Sequence, residues 1–274
     1  MQTFIKTKSV TYDLSKRTHI MGILNVTPDS FSDGGSFTSI DAAVKQALEM
    51  ERRGADIIDI GGESTRPNHE AVSAEEEIER IVPAIEAINA VVKVPISIDT
   101  YKAETAEAAI NAGATIINDV WGAKREPQIA DVAAKYGVPI VLMHNRTNKN
   151  YVSLIEDMKK DLLESVEIAL NAGVKKENII LDPGIGFAKS IQNNYEVMNQ
   201  LNEFVNIGYP VLLGASRKSF IGRTLDVSPE ERDNGTGATT CLAIQRGVQI
   251  VRVHDVKRNV ELAKMMDAML SGGN

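Results

Sequence analysis

Short runs of aliphatic and β-branched residues recur along the chain at 20–26, 55–60, 95–99, 115–120, 138–144, 178–182, 210–215 and 249–255. Each is too short for a buried helix and apolar enough to be covered on both faces, as parallel strands are. Between most of them apolar positions return at helical spacing, over 41–53, 74–91, 102–112, 127–136, 154–172, 195–205, 237–246 and 256–270. Gly54, Gly113, Gly137, Gly173 and Gly247 follow helical stretches, where a left-handed residue closes the helix and feeds the next strand. About eight alternations predict an α/β fold of parallel strands closed into a (β/α)8 TIM barrel. The alternative is an open doubly wound sheet, but no Gly-x-Gly-x-x-Gly follows an early strand. Residues 1–18 alternate weakly through Phe4, Ile5, Val10, Tyr12 and Leu14, predicting a short N-terminal extension or hairpin ahead of a barrel at 19–274. No low-complexity linker interrupts the chain, so the two parts make a single domain.

Composition narrows the function without changing the fold. The 274 residues suit one barrel, and a net charge of −7 gives no basic face for nucleic acid. Cys241 is the single cysteine, so no internal disulfide forms and a reducing compartment is expected, with buried packing as the thiol's role. No secretory core and no run of about 18 apolar residues is present, which predicts a cytoplasmic protein without a membrane partner.

The apolar runs finish on polar residues: Asn25, Asp99, Asn118-Asp119, His144-Asn145, Asp182, Ser216-Arg217-Lys218, and Arg252, His254 and Asp255. A polar residue is a natural place for a strand to stop. A whole ring of them on one barrel rim is costly unless paired or used by a ligand. Asp99, Asn118 and Asp182 suit a planar heterocycle bearing N–H donors. Arg252 and His254 lie two apart on one strand and share a face, so with Lys218 they make a candidate anion corner. Lys218 is open to three readings: nucleophile, anion ligand or solvated strand end. His254 equally fits a satisfied core histidine. Arg217, adjacent to Lys218 on an extended strand end, is expected to point away. The histidines show no zinc spacing, whereas Mg²⁺ would need few protein oxygens, from Asn25 with Asp33 or Asp29. The stretches 27–39, 63–73 and 145–151 follow strands and read as rim loops. Within and beside the first two, 28–35 and 61–67 carry glycines that suit a closing lid and equally suit plain connecting loops.

Several blocks then carry a family resemblance. Met21-Gly22-Ile23-Leu24-Asn25-Val26-Thr27-Pro28-Asp29-Ser30-Phe31-Ser32-Asp33-Gly34-Gly35 and Gly61-Gly62-Glu63-Ser64-Thr65-Arg66-Pro67 resemble signatures of the dihydropteroate synthase family. So do Ser97-Ile98-Asp99-Thr100, Ile117-Asn118-Asp119, Leu181-Asp182-Pro183-Gly184-Ile185-Gly186-Phe187, Ser216-Arg217-Lys218 and Arg252-Val253-His254-Asp255, in the same order. The resemblance implies a pterin-binding TIM-barrel transferase of folate biosynthesis. It would condense (7,8-dihydropterin-6-yl)methyl diphosphate with 4-aminobenzoate, by early C–O cleavage and attack of the arylamine. It further implies that Asp99, Asn118, Asp182 and Lys218 hold the pterin, and that Asp99, Asp182, Lys218 and Arg252 are catalytic. Asn25, Thr65, Arg66, Arg252 and His254 would meet the diphosphate, Asn25 through Mg²⁺. Phe31, Pro67, Phe187, Lys218 and Ser219 would shape the 4-aminobenzoate site, closed by Asp33. A homodimer is the family's usual state. The rival readings are a corrinoid methyltransferase-like barrel, an aldolase using Lys218 as a Schiff base, and a non-catalytic pterin-binding module.

Overall fold

The computed structural model describes residues 4–8, 10–26, 36–63 and 72–272. A two-stranded antiparallel hairpin, β1 (Phe4–Lys6) with β2 (Thr11–Asp13), precedes eight parallel strands. These are β3 (His19–Asn25), β4 (Ile57–Gly61), β5 (Ile96–Asp99), β6 (Ile116–Asp119), β7 (Ile140–Met143), β8 (Ile179–Asp182), β9 (Leu212–Leu213) and β10 (Ile250–Val253). Helices follow the strands: α1 (Ser36–Arg52), α2 (Ala74–Asn89), α3 (Ala103–Ala112), α4 (Gln128–Tyr136), α5 (Leu154–Asn171), α6 (Ile191–Asn199), α7 (Leu201–Val205), α8 (Ser219–Leu225), α9 (Asp233–Gln245) and α10 (Val256–Leu270). The ladder runs β8-β7-β6-β5-β4-β3-β10-β9, and a parallel bridge from Leu181 to Val211 joins its two ends. The Leu181 N–H also donates to Pro210 O at 2.9 Å. The sheet is therefore a (β/α)8 barrel, and the open-sheet alternative is set aside.

Strand alternation divides the apolar residues into two cores. Ile20, Leu24, Ile58, Ile60, Ile96, Ile98, Ile117, Ile140, Leu142, Ile179, Leu181, Val251 and Val253 face outward and pack under the helices. Their inward neighbours Met21, Ile57, Ile116, Val141, Ile180, Leu212 and Ile250 form a separate cluster with Ile5, Tyr12 and Leu14. The hairpin thus plugs the barrel floor, and Tyr12 Oη donates to Asp56 O at 2.5 Å. Two residues further along four of the strands the inward position turns polar: Asp59 follows Ile57, Asn118 follows Ile116, Asp182 follows Ile180 and Arg252 follows Ile250. The floor holds the fold and the opposite end is left for chemistry.

Some elements depart from the pattern read along the chain. The run at 210–215 gives only the two-residue strand β9, and the helical stretch 195–205 breaks at Gln200 into α6 and α7. Helix α8 was not anticipated, and α9 begins at Asp233 rather than 237. The segment Asp233-Asn234-Gly235-Thr236-Gly237 reads as a helix breaker. Packing overrides that propensity: a Cβ on Gly235 would collide with Ile221 of α8, so the glycine lets two helices approach. Cys241 is half-buried rather than buried.

Candidate active site

The polar layer is built by register. Asn25 pairs with Gly61, Gly61 with Asp99 and Asp99 with Asn118 across β3, β4, β5 and β6. Gly61 contributes no side chain, so Asn25 and Asp99 share the space over it. A Cβ there would lie 3.6 Å from Asp99 Cβ and 3.7 Å from Asn25 Oδ1. Asn25 is exposed, whereas Asp99 and Asn118 are buried.

Beneath this layer lies a carboxylate that the sequence reading passed over. Arg252 Nε donates to Asp59 Oδ2 at 2.6 Å, and its Nη2 donates to Asp99 Oδ2 at 2.6 Å. Asn118 Nδ2 donates to the same Asp59 oxygen at 3.1 Å. Asp59 is fully buried and fixes both the Asn118 amide and the arginine. Its signal was in the chain: in Ile57-Ile58-Asp59-Ile60 it is the one charged residue, at an inward parity. Burial of Arg252 opposes its charge, but Asp59 and Asp99 raise its pKa above the ordinary arginine value. The geometry therefore places two of its nitrogens on carboxylates, while Nη1 makes no hydrogen bond to a described residue. Burial lifts the Asp99 carboxyl to about 7 despite Arg252, with Asp59 and Glu77 adding to the rise. Asp99 Oδ1 is buried with no hydrogen-bond partner among the described residues. An oriented acceptor of this kind fits an N–H donor supplied by a ligand.

On the opposite wall Asp182 Oδ1 accepts the Gly184 N–H at 2.7 Å. Its Oδ2 faces Gly214, where a Cβ would stand 3.5 Å away. Burial raises this carboxyl to about 6, against the Gly184 hydrogen bond and the cations Lys218, Arg252 and Lys189. The turn after β8 passes through Gly184, Gly186 and Ala188 at φ of 66°, 87° and 48°. Lys189, also missed, ties it down. Its buried Nζ donates to Gly184 O at 2.8 Å and Phe187 O at 2.9 Å, and contacts His144 Nδ1 at 3.0 Å. His144 Nε2 lies 3.0 Å from Asp161 Oδ2. Facing a carboxylate, Nε2 carries the ring proton and leaves Nδ1 to accept from Lys189, whose own pKa burial lowers to about 7. Burial followed by Lys189 lowers the His144 pKa to about 3. The only sequence clue to Lys189 was its place two residues past Phe187.

The pinned turn sets the Phe187 ring under Lys218, whose Nζ sits 4.1 Å from the ring centroid. Burial and Arg252 lower the Lys218 pKa to about 8, and Asp182 and Asp99 resist that fall, so the side chain is mainly a cation at neutral pH. Lys218 caps α8, and Ser219 opens that helix, exposed. Arg217 turns away at φ 55° and forks onto Asp233 at 2.8 and 2.9 Å. The backbone that turns it is left-handed, not extended. Past the strand ends, Ser216 Oγ lies 2.8 Å from His254 Nδ1. Asp119 faces away from the barrel interior and accepts the N–H groups of Trp121 and Ala123, at 2.7 and 2.5 Å, closing a turn.

The structure thus gathers Asn25, Asp99 and Asn118 in one layer, with Arg252 bonded to Asp99, and places Asp182, Phe187 and Lys218 in a second group on the facing wall. Phe31, Asp33, Thr65, Arg66 and Pro67 lie outside the described residues. Among the described residues no three His, Cys, Asp or Glu side chains converge as a metal cluster. For Mg²⁺ the exposed amide oxygen of Asn25 is a suitable hard donor, fitting an ion held chiefly by substrate oxygens.

Comparison with known proteins places this geometry. A family model described as pterin binding enzyme matches residues 21–254. A dihydropteroate synthase of Bacillus subtilis is 61% identical over 98% of this chain and 94% of its own length. One from Clostridium beijerinckii is 57% identical, covering 97% and 99%. Among solved structures, a Clostridium difficile dihydropteroate synthase crystallised in the presence of pteroic acid superposes with a TM-score of 0.92 at 52% identity, covering 94% of this chain and 98% of that one. A Xanthomonas albilineans dihydropteroate synthase with 4-aminobenzoic acid gives 0.94 at 40% identity, covering 99% of each.

Proposed function

The chain belongs to the dihydropteroate synthase family of pterin-binding enzymes, and from that premise we propose how its site divides the work. It is a transferase of folate biosynthesis that joins (7,8-dihydropterin-6-yl)methyl diphosphate to 4-aminobenzoate, giving 7,8-dihydropteroate and diphosphate. The pterin ring lies among Asp99, Asn118 and Asp182. The observation that carries this is the unpartnered, buried Asp99 Oδ1 facing a layer that ends in Asn118. Asp182 accepts from the far edge of the ring through Oδ2. Arg252, held by Asp59 and Asp99, keeps two buried carboxylates from repelling each other and directs Nη1 to the diphosphate. Lys218 stands between the substrates as a fixed cation with Phe187 stacked beneath it, on the 4-aminobenzoate side with Ser219.

Thr65 and Arg66 are proposed with His254 for the diphosphate, and Phe31, Asp33 and Pro67 for closing over 4-aminobenzoate. Asn25 would hold Mg²⁺, which when bound neutralises charge on the diphosphate oxygens. The arylamine is neutral and needs no strong protein base. We propose early C–O cleavage, with the cationic pterin methylene stabilised by Asp99 and Asp182 before the amine attacks. A homodimer is proposed on family membership, to be read by sedimentation velocity. No described helix is long and apolar enough to cross a membrane, and a cytoplasmic location is part of the same proposal.

The test is diphosphate release with both substrates, with and without Mg²⁺. Release matched one-for-one by dihydropteroate, and dependent on both the pterin diphosphate and Mg²⁺, is the expected result. Turnover unaffected by chelation would remove the proposed metal role, and absence of dihydropteroate would remove the reaction. Positional isotope exchange in the bridging oxygen without 4-aminobenzoate tests early cleavage; no scrambling, with the product diphosphate free to rotate, speaks against it.

A further inference from the structure

We infer that Ser216 fixes the proton of His254 on Nε2, so that His254 meets the diphosphate as a neutral N–H donor and never as an acid. The inference rests on the reading of His254 as a diphosphate ligand. Its physical basis is one buried hydroxyl. Ser216 is 6% exposed, and its Oγ accepts the His254 backbone N–H at 3.2 Å while lying 2.8 Å from His254 Nδ1. A serine hydroxyl has one hydrogen and two lone pairs. The backbone N–H occupies one lone pair. If Nδ1 carried a proton it would take the other, and the hydroxyl hydrogen would be stranded, since no other described residue accepts from Ser216 Oγ. Buried donors are almost always paired. The hydroxyl therefore donates to Nδ1, and the ring proton sits on Nε2, which makes no hydrogen bond to a described residue and is left for a ligand.

The surroundings keep the ring neutral. Burial lowers the His254 pKa to about 3, with Arg252, Arg217 and Lys218 adding to the fall and Asp233 opposing it. Asp233 is itself taken up by the Arg217 fork at 2.8 and 2.9 Å. Lys218 and Arg252 therefore supply positive charge at this corner, while His254 supplies direction. A neutral imidazole N–H cannot protonate the departing diphosphate within the working pH range. The leaving group departs as the anion, and Ser216 acts as a positioning residue through His254.

The experiment is a long-range ¹H–¹⁵N spectrum of ¹⁵N-histidine-labelled protein, which has only four histidines. His254→Gln assigns the His254 signals. The expected pattern is a protonated Nε2 and a bare Nδ1 that stay unchanged from about pH 5 to 8. Ser216→Ala should convert this to averaged shifts and weaken calorimetric binding of inorganic diphosphate about tenfold, with free pterin alcohol binding unchanged. A proton on Nδ1, or a ring that titrates in that range, overturns the inference whatever His254 binds, and this readout needs no variant to fold. An Nε2–H ring that diphosphate leaves unperturbed, with equal diphosphate affinity in Ser216→Ala, instead removes His254 from the diphosphate site and the inference with it.

Discussion

Asp99 and Asp182 are both buried carboxyls at inward strand ends, yet they are held differently. Among the described residues Asp99 shares Oδ2 with Arg252 and keeps Oδ1 without a hydrogen-bond partner, while Asp182 gives Oδ1 to Gly184 and turns Oδ2 toward Gly214. Each thus offers one aimed oxygen. Burial raises them to about 7 and about 6, so on acidification both take up a proton and lose acceptor capacity. Affinity for the free pterin alcohol is expected to fall as pH drops from about 7 to 5. Asp182→Asn should lower affinity at neutral pH by about tenfold or more and flatten part of that slope, the fold intact. Calorimetric titration across pH, with circular dichroism as the folding control, checks this; a pH-independent affinity in the parent protein would sink it. Asp59 shows what the residue scale hides from a sequence reader. A lone aspartate inside an apolar run signals an inward charge, but nothing along the chain says that Arg252, far away in sequence, completes it.

The turn between β8 and α6 is one element that would couple the two proposed substrate sides. It starts from Asp182 at the end of β8, its aromatic is Phe187, and Lys189 grips two of its carbonyls. Lys189→Met keeps the length of the side chain but removes all its donors. The expected outcome is an aminobenzoate KM raised about tenfold with the pterin diphosphate KM changed by less than about threefold, because Asp182 stays fixed by its strand. If instead kcat falls in step with the folded fraction and both KM values hold, Lys189 serves only the fold. The apolar runs located the strands and their polar ends, from which Asp99, Asn118, Asp182 and Lys218 could be read. Periodicity did not locate Lys189, since a lysine past a glycine-rich turn looks like solvated loop until the fold buries it. Nor did it find α8 or the start of α9, where close approach through Gly235 outweighs glycine's poor helix propensity.

For the whole molecule, stability and chemistry sit at opposite ends of one barrel. Ile5 is fully buried in the floor cluster with Tyr12 and Leu14. Ile5→Ala is expected to cost about 2–5 kcal/mol in urea unfolding while leaving pterin alcohol affinity unchanged. Loss of affinity in the still-folded protein would show that floor and rim are coupled. The closed barrel was legible because eight two-sided strands leave few other ways to bury their residues. How it closes was not, since β9 contributes only Leu212–Leu213 and the last join is the Leu181–Val211 bridge. The strict in-and-out alternation has a further consequence, for how such a protein can change length. Removing one residue within β5 ahead of Asp99 would turn its carboxylate toward the helices and put Thr100 in its place at the inward strand end. Two residues would restore the facing but move it along the strand by about 7 Å, one layer off. Insertions and deletions are therefore filtered by parity inside the strands, and drift in chain length is confined to the loops and helices between them.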